Sequence, residues 1–115
     1  MTLRQKQSVF VKLVALLINE ATDMGYELTF GETYRSPEEA ERLWKLGKGI
    51  KTSLHISKLA IDLNLFWGGK YLTKSEDYVF IGMFWESLST DEYKCHWGGR
   101  FGDGNHFSIG HLGRK

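Results

Sequence analysis

The sequence predicts a small α+β domain in which helices flank an antiparallel sheet, and three stretches carry that expectation. Apolar residues recur on one helical face over residues 3–21. Over residues 59–65 the chain alternates: Leu59, Ile61, Leu63 and Leu65 point one way and Ala60, Asp62 and Asn64 the other, the pattern of a half-buried strand. A second alternation opens at His106, with Ser108 on its face and Phe107 and Ile109 on the opposite one.

Taken in order, Leu3, Phe10, Leu13, Val14, Leu17, Ile18 and Ala21 trace the inner face of a first helix ending near Gly25. Arg4 and Lys6 ahead of an apolar run imitate an export signal. Lys12 interrupts that run, no small-residue cleavage site follows, and the spacing is helical, so a core helix without an export signal is expected. Residues 26–34 read as a strand. Ser36-Pro37-Glu38-Glu39 then starts a second helix, with Ser at the N-cap, Pro in the first turn and acids against the dipole. It closes near Gly47, and residues 47–52 form a mobile basic loop. Trp67-Gly68-Gly69-Lys70 predicts a hairpin turn. A third helix over residues 75–88 turns Tyr78, Ile81, Phe84, Trp85 and Leu88 toward the core. No repeat, low-complexity tract or linker interrupts the chain, so residues 1–115 are expected to form a single domain, with no second, anchoring one.

Composition narrows the function by exclusion. Apolar content of 42% and charged content of 25% are those of a soluble globular protein. With 15 basic against 14 acidic residues there is no electrostatic case for nucleic acid. No apolar run approaches membrane-spanning length, so no stable membrane association is expected, and the protein is expected to be a monomer. A single cysteine, Cys95, excludes an intramolecular disulfide.

The chemistry lies in Ser53-Leu54-His55, Ala60-Ile61-Asp62 and Asp103-Gly104-Asn105-His106. Two imidazoles and one carboxylate suit a zinc ion with its fourth tetrahedral position open to water, the mark of a catalytic rather than a structural site. His55 lies seven positions before Asp62, an odd offset that puts them on opposite faces of a continuous strand, so the chain must turn around Ile56 to Lys58. If the two alternating strands pair antiparallel, Asp62 and His106 converge and His55 reaches in from the preceding loop. Asp103, a tight Gly104-Asn105 turn away, would sit at the rim. Any one of these residues has an ordinary structural explanation, but several unpaired His and Asp in compatible positions are costly to bury for packing alone.

The same segments resemble the zinc peptidases of bacterial cell-wall metabolism: D-Ala-D-Ala carboxypeptidases and dipeptidases, and phage endolysins that cut the L-alanyl-D-glutamate bond. Their S-x-H-x(6)-D and D/E-x-x-H patterns stand here as SLHISKLAID and DGNH. Thr33-Tyr34-Arg35-Ser36 is similar to the family's Y-R-S segment, and Trp97-Gly98-Gly99-Arg100-Phe101 to its W-G-G-x-F approach to the last ligand. The resemblance implies a carboxypeptidase/hedgehog-like α+β fold, zinc held by His55, Asp62 and His106, Asp103 as general base and Arg35 near the substrate. One departure is Lys58, where the family usually has Gly in the turn between two ligands.

On that basis zinc would lower the pKa of its bound water, and Asp103 would take the water's proton and pass it to the departing amine. Arg35, just past a strand end, would stabilise the oxyanion or grip a substrate carboxylate. Ser53 would fix the ligand loop or contact substrate. His96 is a spare imidazole expected, with Ser53, among the substrate contacts. His111 is expected to be a bystander in a frayed tail, and Trp67, Trp97 and Phe101 either wall the groove or pack a loop onto the core. Two rival readings differ in class. A thiol hydrolase would use Cys95 with His55 or His106, leaving Asp62 and Asp103 unexplained. A non-catalytic, zinc-stabilised cell-wall module would have no need of Asp103. The substrate the resemblance implies is a peptidoglycan stem peptide; L-alanyl-D-glutamate is the expected bond, and a D-alanyl-D-alanine carboxypeptidase or dipeptidase is the alternative. A small domain without anchor or export signal suits a phage endolysin for a Gram-negative host, held in the host cytoplasm until a partner opens the way to the periplasm.

Overall fold

Thr2 and Gln5 start the first helix by a reciprocal capping box: the Thr2 hydroxyl accepts the Gln5 N–H and the Gln5 side chain accepts the Thr2 N–H. In the computed structural model, which describes residues 1–50 and 52–115, this helix, α1, spans Leu3–Asp23. Strand β1 (Glu27–Phe30) follows, then α2 (Pro37–Lys45), with Ser36 at the N-cap and Pro37 in the first turn as its sequence requires. Lys51, within the expected basic loop, lies outside the described residues.

Strand β2 (Ala60–Trp67) and the short β3 (Lys70–Tyr71) form a hairpin closed by Gly68 and Gly69, both at positive φ, the two-residue turn that glycine makes cheaply. The third helix is α3 (Val79–Ser87), and its expected first turn is a 3₁₀ turn over Ser75–Tyr78. Strand β4 (Cys95–Trp97), a second 3₁₀ turn (Gly98–Phe101) and β5 (His106–Ile109) complete the chain. The antiparallel sheet runs β1-β2-β5-β4, so the fold is α+β with helices packed on an open sheet. Strand β4 is absent from the sequence reading, because three residues are too few to display an alternation.

One face of the sheet presents Ile61, Leu63, Leu65, Phe107 and Ile109, which join Phe10, Leu13 and Leu17 of α1 and Ile81 and Trp85 of α3 in one buried cluster. Trp85 is fully buried, and its Nε1 donates to the carbonyls of His96 and Ser108, 3.1 Å from each, tying β4 to β5. The opposite face carries Asp62 and His106, paired across β2 and β5 in register.

Strand β1 is shorter than the expected 26–34. The Gly31 N–H donates to the Asp62 carbonyl, while the Asp62 N–H donates to the carbonyl of Glu32, each at 2.8 Å. Two residues thus oppose one, a bulge that ends regular pairing beside Asp62. The C-terminal tail is not frayed either: Arg114 donates to the Thr52 carbonyl at 3.1 Å and to Ser57 Oγ at 2.9 Å, and His111 Nδ1 lies 3.3 Å from Lys6 Nζ.

Candidate metal centre

His55 arrives on a loop that folds on itself. Ser53 Oγ accepts the His55 N–H at 3.2 Å, and the Leu54 carbonyl accepts the N–H groups of Ser57 and Leu59, each at 3.1 Å. Buried Leu54 plugs the loop into the core. The turn anticipated around residues 56–58 ends at Lys58, whose φ is +58°. That left-handed conformation explains why glycine would be favoured there. Lys58 adopts it with its ammonium 5.4 Å from the centre of the Tyr34 ring, a cation–π contact worth about 0.5–1 kcal/mol at an exposed site.

Asp62 and His106 meet across the β2–β5 ladder, and His55 closes the group from the loop. Asp62 Oδ1 lies 3.3 Å from His55 Nε2 and 3.3 Å from His106 Nδ1. One ligand atom from each of the three residues falls within 4.8 Å of the others. Tetrahedral zinc with bonds of about 2.1 Å separates its ligand atoms by about 3.4 Å. The two resolved edges of the triangle match that spacing, and the two imidazoles, with ring centroids 5.1 Å apart and planes at 72°, converge on the same carboxylate. The donor set and its spacing therefore fit one zinc ion.

The charges agree. Burial pushes the Asp62 carboxyl up, but hydrogen bonds from His106 and His55 outweigh it and hold the group at about 2. Burial pushes the His55 imidazole down, and Asp62, through a hydrogen bond and its charge, reverses the shift to a net rise. Asp62 is thus a fixed anion between two rings.

Asp103 stands at the rim, half exposed, with Oδ2 4.0 Å from His106 Nδ1. Its pKa is raised by burial and by the Asp62 charge, against the lowering pull of His106. The W-G-G-x-F segment builds the wall behind it. The Asp103 N–H donates to the Gly98 carbonyl at 2.8 Å, and Trp97 Nε1 to the Gly104 carbonyl at 2.7 Å. A Cβ on Gly98 would collide with the Asp103 carbonyl and lie 2.7 Å from the His106 Cβ, so only glycine allows the approach.

The other expected site residues are not all gathered here. Arg35 is: its N–H donates to the His55 carbonyl at 3.2 Å, and its guanidinium pairs with Glu32. Ser53 is buried with its hydroxyl turned into the ligand loop, the first of its two expected roles; substrate contact is not what its position offers. His96 sits elsewhere: β4 adjoins β5, but His96 pairs with Ser108, two positions beyond His106, and it lines a depression with Lys6, Gly110, His111 and Arg114. Phe101 walls the centre, its ring 6.1 Å from that of His106, whereas Trp67 packs on Tyr26 at the hairpin end and Trp97 packs under the Asp103 loop. Cys95 pairs with Ile109 on the apolar face, away from both imidazoles, and burial pushes its thiol up to about 11. That position removes the thiol-hydrolase reading.

Glu32 was missed. Its side chain reaches both Arg35 and His55, at 2.5 Å and 3.8 Å. The only sequence signal was an acid three positions before Arg35, since the bulge at residues 31–32 hides it from any alternation.

No protein-family model and no curated protein sequence matches the chain. Among solved structures the fold matches the crystal structure of the Serratia marcescens L-Ala D-Glu endopeptidase ChiX, with a TM-score of 0.73 at 18% sequence identity, covering 90% of this chain and 79% of that one. The fold is therefore that of a known peptidase.

Proposed function

We propose that this protein is a zinc-dependent peptidoglycan peptidase that hydrolyses the L-alanyl-D-glutamate bond of the stem peptide. The observation that carries the reading is the His55–Asp62–His106 group, spaced for one tetrahedral ion, with a half-exposed carboxylate, Asp103, beside it. The bond assignment draws on the family resemblance of the motifs and on the shared fold with an L-Ala D-Glu endopeptidase.

Bound at His55, Asp62 and His106, zinc would supply Lewis acidity, bringing the pKa of a water to about 7 and polarising a carbonyl. Asp103 takes a proton from the attacking water and returns it to the leaving amine. Arg35 is held beside the His55 backbone, where its planar guanidinium meets a substrate carboxylate or the developing oxyanion. Among the described residues no helix is long and apolar enough to cross a membrane.

Digestion of purified peptidoglycan, followed by mass spectrometry of the products, tests the reading. Stem peptides beginning at D-glutamate should be freed from glycan that keeps only L-alanine, and 1,10-phenanthroline should stop the release until zinc is restored. Free D-alanine as the only product would reassign the protein as a carboxypeptidase, and D-alanyl-D-alanine as a dipeptidase. No release of any of these by zinc-loaded protein would refute the reading.

A further inference from the structure

We propose that Glu32 is a positioning residue for the metal centre, its single carboxylate setting both the His55 imidazole and the Arg35 guanidinium. The inference rests on the zinc reading of the site and goes beyond it by naming what holds a ligand in place.

Glu32 touches three members of the site at once. Its backbone carbonyl accepts the Asp62 N–H at 2.8 Å, so the bulge locks it to the carboxylate ligand. Its Oε1 lies 2.5 Å from Arg35 Nη2 and 3.8 Å from His55 Nδ1. His55 presents its other nitrogen, Nε2, to Asp62. A histidine that binds metal through one ring nitrogen is oriented, and made a better donor, by what accepts the N–H of the other. Here the Thr33 carbonyl stands 3.4 Å from Nδ1, beyond the usual range of about 2.7–3.2 Å for such a bond. The backbone carbonyl is the nearer acceptor and a long one, and the Glu32 carboxylate, 3.8 Å from Nδ1 and beyond hydrogen-bond reach, adds negative charge beside the same nitrogen.

The remaining valences point the same way. Glu32 Oε1 is shut off from solvent and makes an ion pair with Arg35 but no hydrogen bond, so it retains acceptor capacity. Arg35 Nε is likewise enclosed without an acceptor. Removing the Glu32 carboxylate would leave a largely enclosed guanidinium without its ion-pair partner, on a residue whose backbone N–H holds the His55 carbonyl of the ligand loop. Arg35 and His55 would then both lose their common reference.

Glu32→Gln, which keeps the shape and removes the charge, and Glu32→Ala test this in the full chain. Zinc affinity is measured by competition with a chromophoric chelator, the visible spectrum is recorded on the cobalt(II)-substituted protein, and thermal unfolding is measured without metal. Glu32→Ala should weaken zinc binding about 10–100-fold, the usual effect of removing a partner of a metal-bound histidine. Glu32→Gln should weaken it less and shift the cobalt spectrum, which a purely structural role would leave in place. Native zinc affinity and an unchanged cobalt spectrum in both variants would overturn the proposal while leaving the metal site intact. A wild-type protein that binds no zinc would instead refute the reading of the site, and this inference with it.

Discussion

Replacing Gly31 with alanine tests whether the close approach of β1 to Asp62 sets the metal centre. Gly31 is not at positive φ, so the substitution carries no conformational penalty and its cost is steric. A Cβ there would lie 2.9 Å from the Asp62 Cβ and 3.2 Å from the Asp62 carbonyl oxygen. Carbon atoms rest at about 3.5–4.0 Å, so the two segments must part by about 0.6–1 Å. They cannot part freely, because the Gly31 N–H is bonded to that same carbonyl at 2.8 Å. Overpacking of this kind costs about 1–3 kcal/mol. For a chain of 115 residues that lowers the melting temperature by about 4–12 °C. The displacement falls on a ligand, and metal–ligand distances tolerate only about ±0.2 Å. Zinc affinity should therefore fall by at least about tenfold, equivalent to about 1.4 kcal/mol. Calorimetric unfolding without metal and chelator competition measure the two effects separately. Gly47→Ala is the control: φ is +73° there with nothing among the described residues within 4 Å, so it should cost about 1 kcal/mol of stability and no zinc affinity. A Gly31→Ala protein that loses stability yet binds zinc as tightly as the wild type would refute the argument.

The other predictions address the ligands, the base and the thiol. His106→Ala should lose zinc and most activity, together with the zinc-dependent stabilisation of the wild type, about 2.7 kcal/mol at a hundredfold excess of zinc over its Kd; full zinc occupancy by mass spectrometry would remove His106 from the ligand set. Asp103→Asn should keep fold and zinc while turnover on peptidoglycan falls by about 10²–10⁴; if the metal leaves with the carboxylate, Asp103 is a ligand and not the base. Cys95, with its thiol pushed up to about 11, stays protonated as pH rises through neutrality, so about one molecule in a thousand is thiolate at pH 8. Iodoacetamide should therefore label the native protein far more slowly than the urea-unfolded chain and spare its activity, and rapid native labelling with loss of activity would revive a thiol mechanism.

Local pattern sufficed for much of this molecule. The helix caps at Ser36 and the apolar stripe of α1 are written within a few residues, and so are the alternation of β2 and the Gly68-Gly69 turn. Because period-two alternation assigns each strand residue to a face, pairing β2 with β5 was enough to bring Asp62 to His106, and the odd offset was enough to require a turn before His55. The rest depends on contacts between segments far apart in sequence, which no local period records. The bulge at Gly31 and Glu32 shortens β1 and places an acid behind His55. The register of β4 sets His96 against Ser108, two positions beyond His106, and Arg114 reaches back over 57 positions to brace the ligand loop at Ser57. Sequence periodicity states which face a side chain occupies; hydrogen-bond register and packing decide which other side chain it meets there.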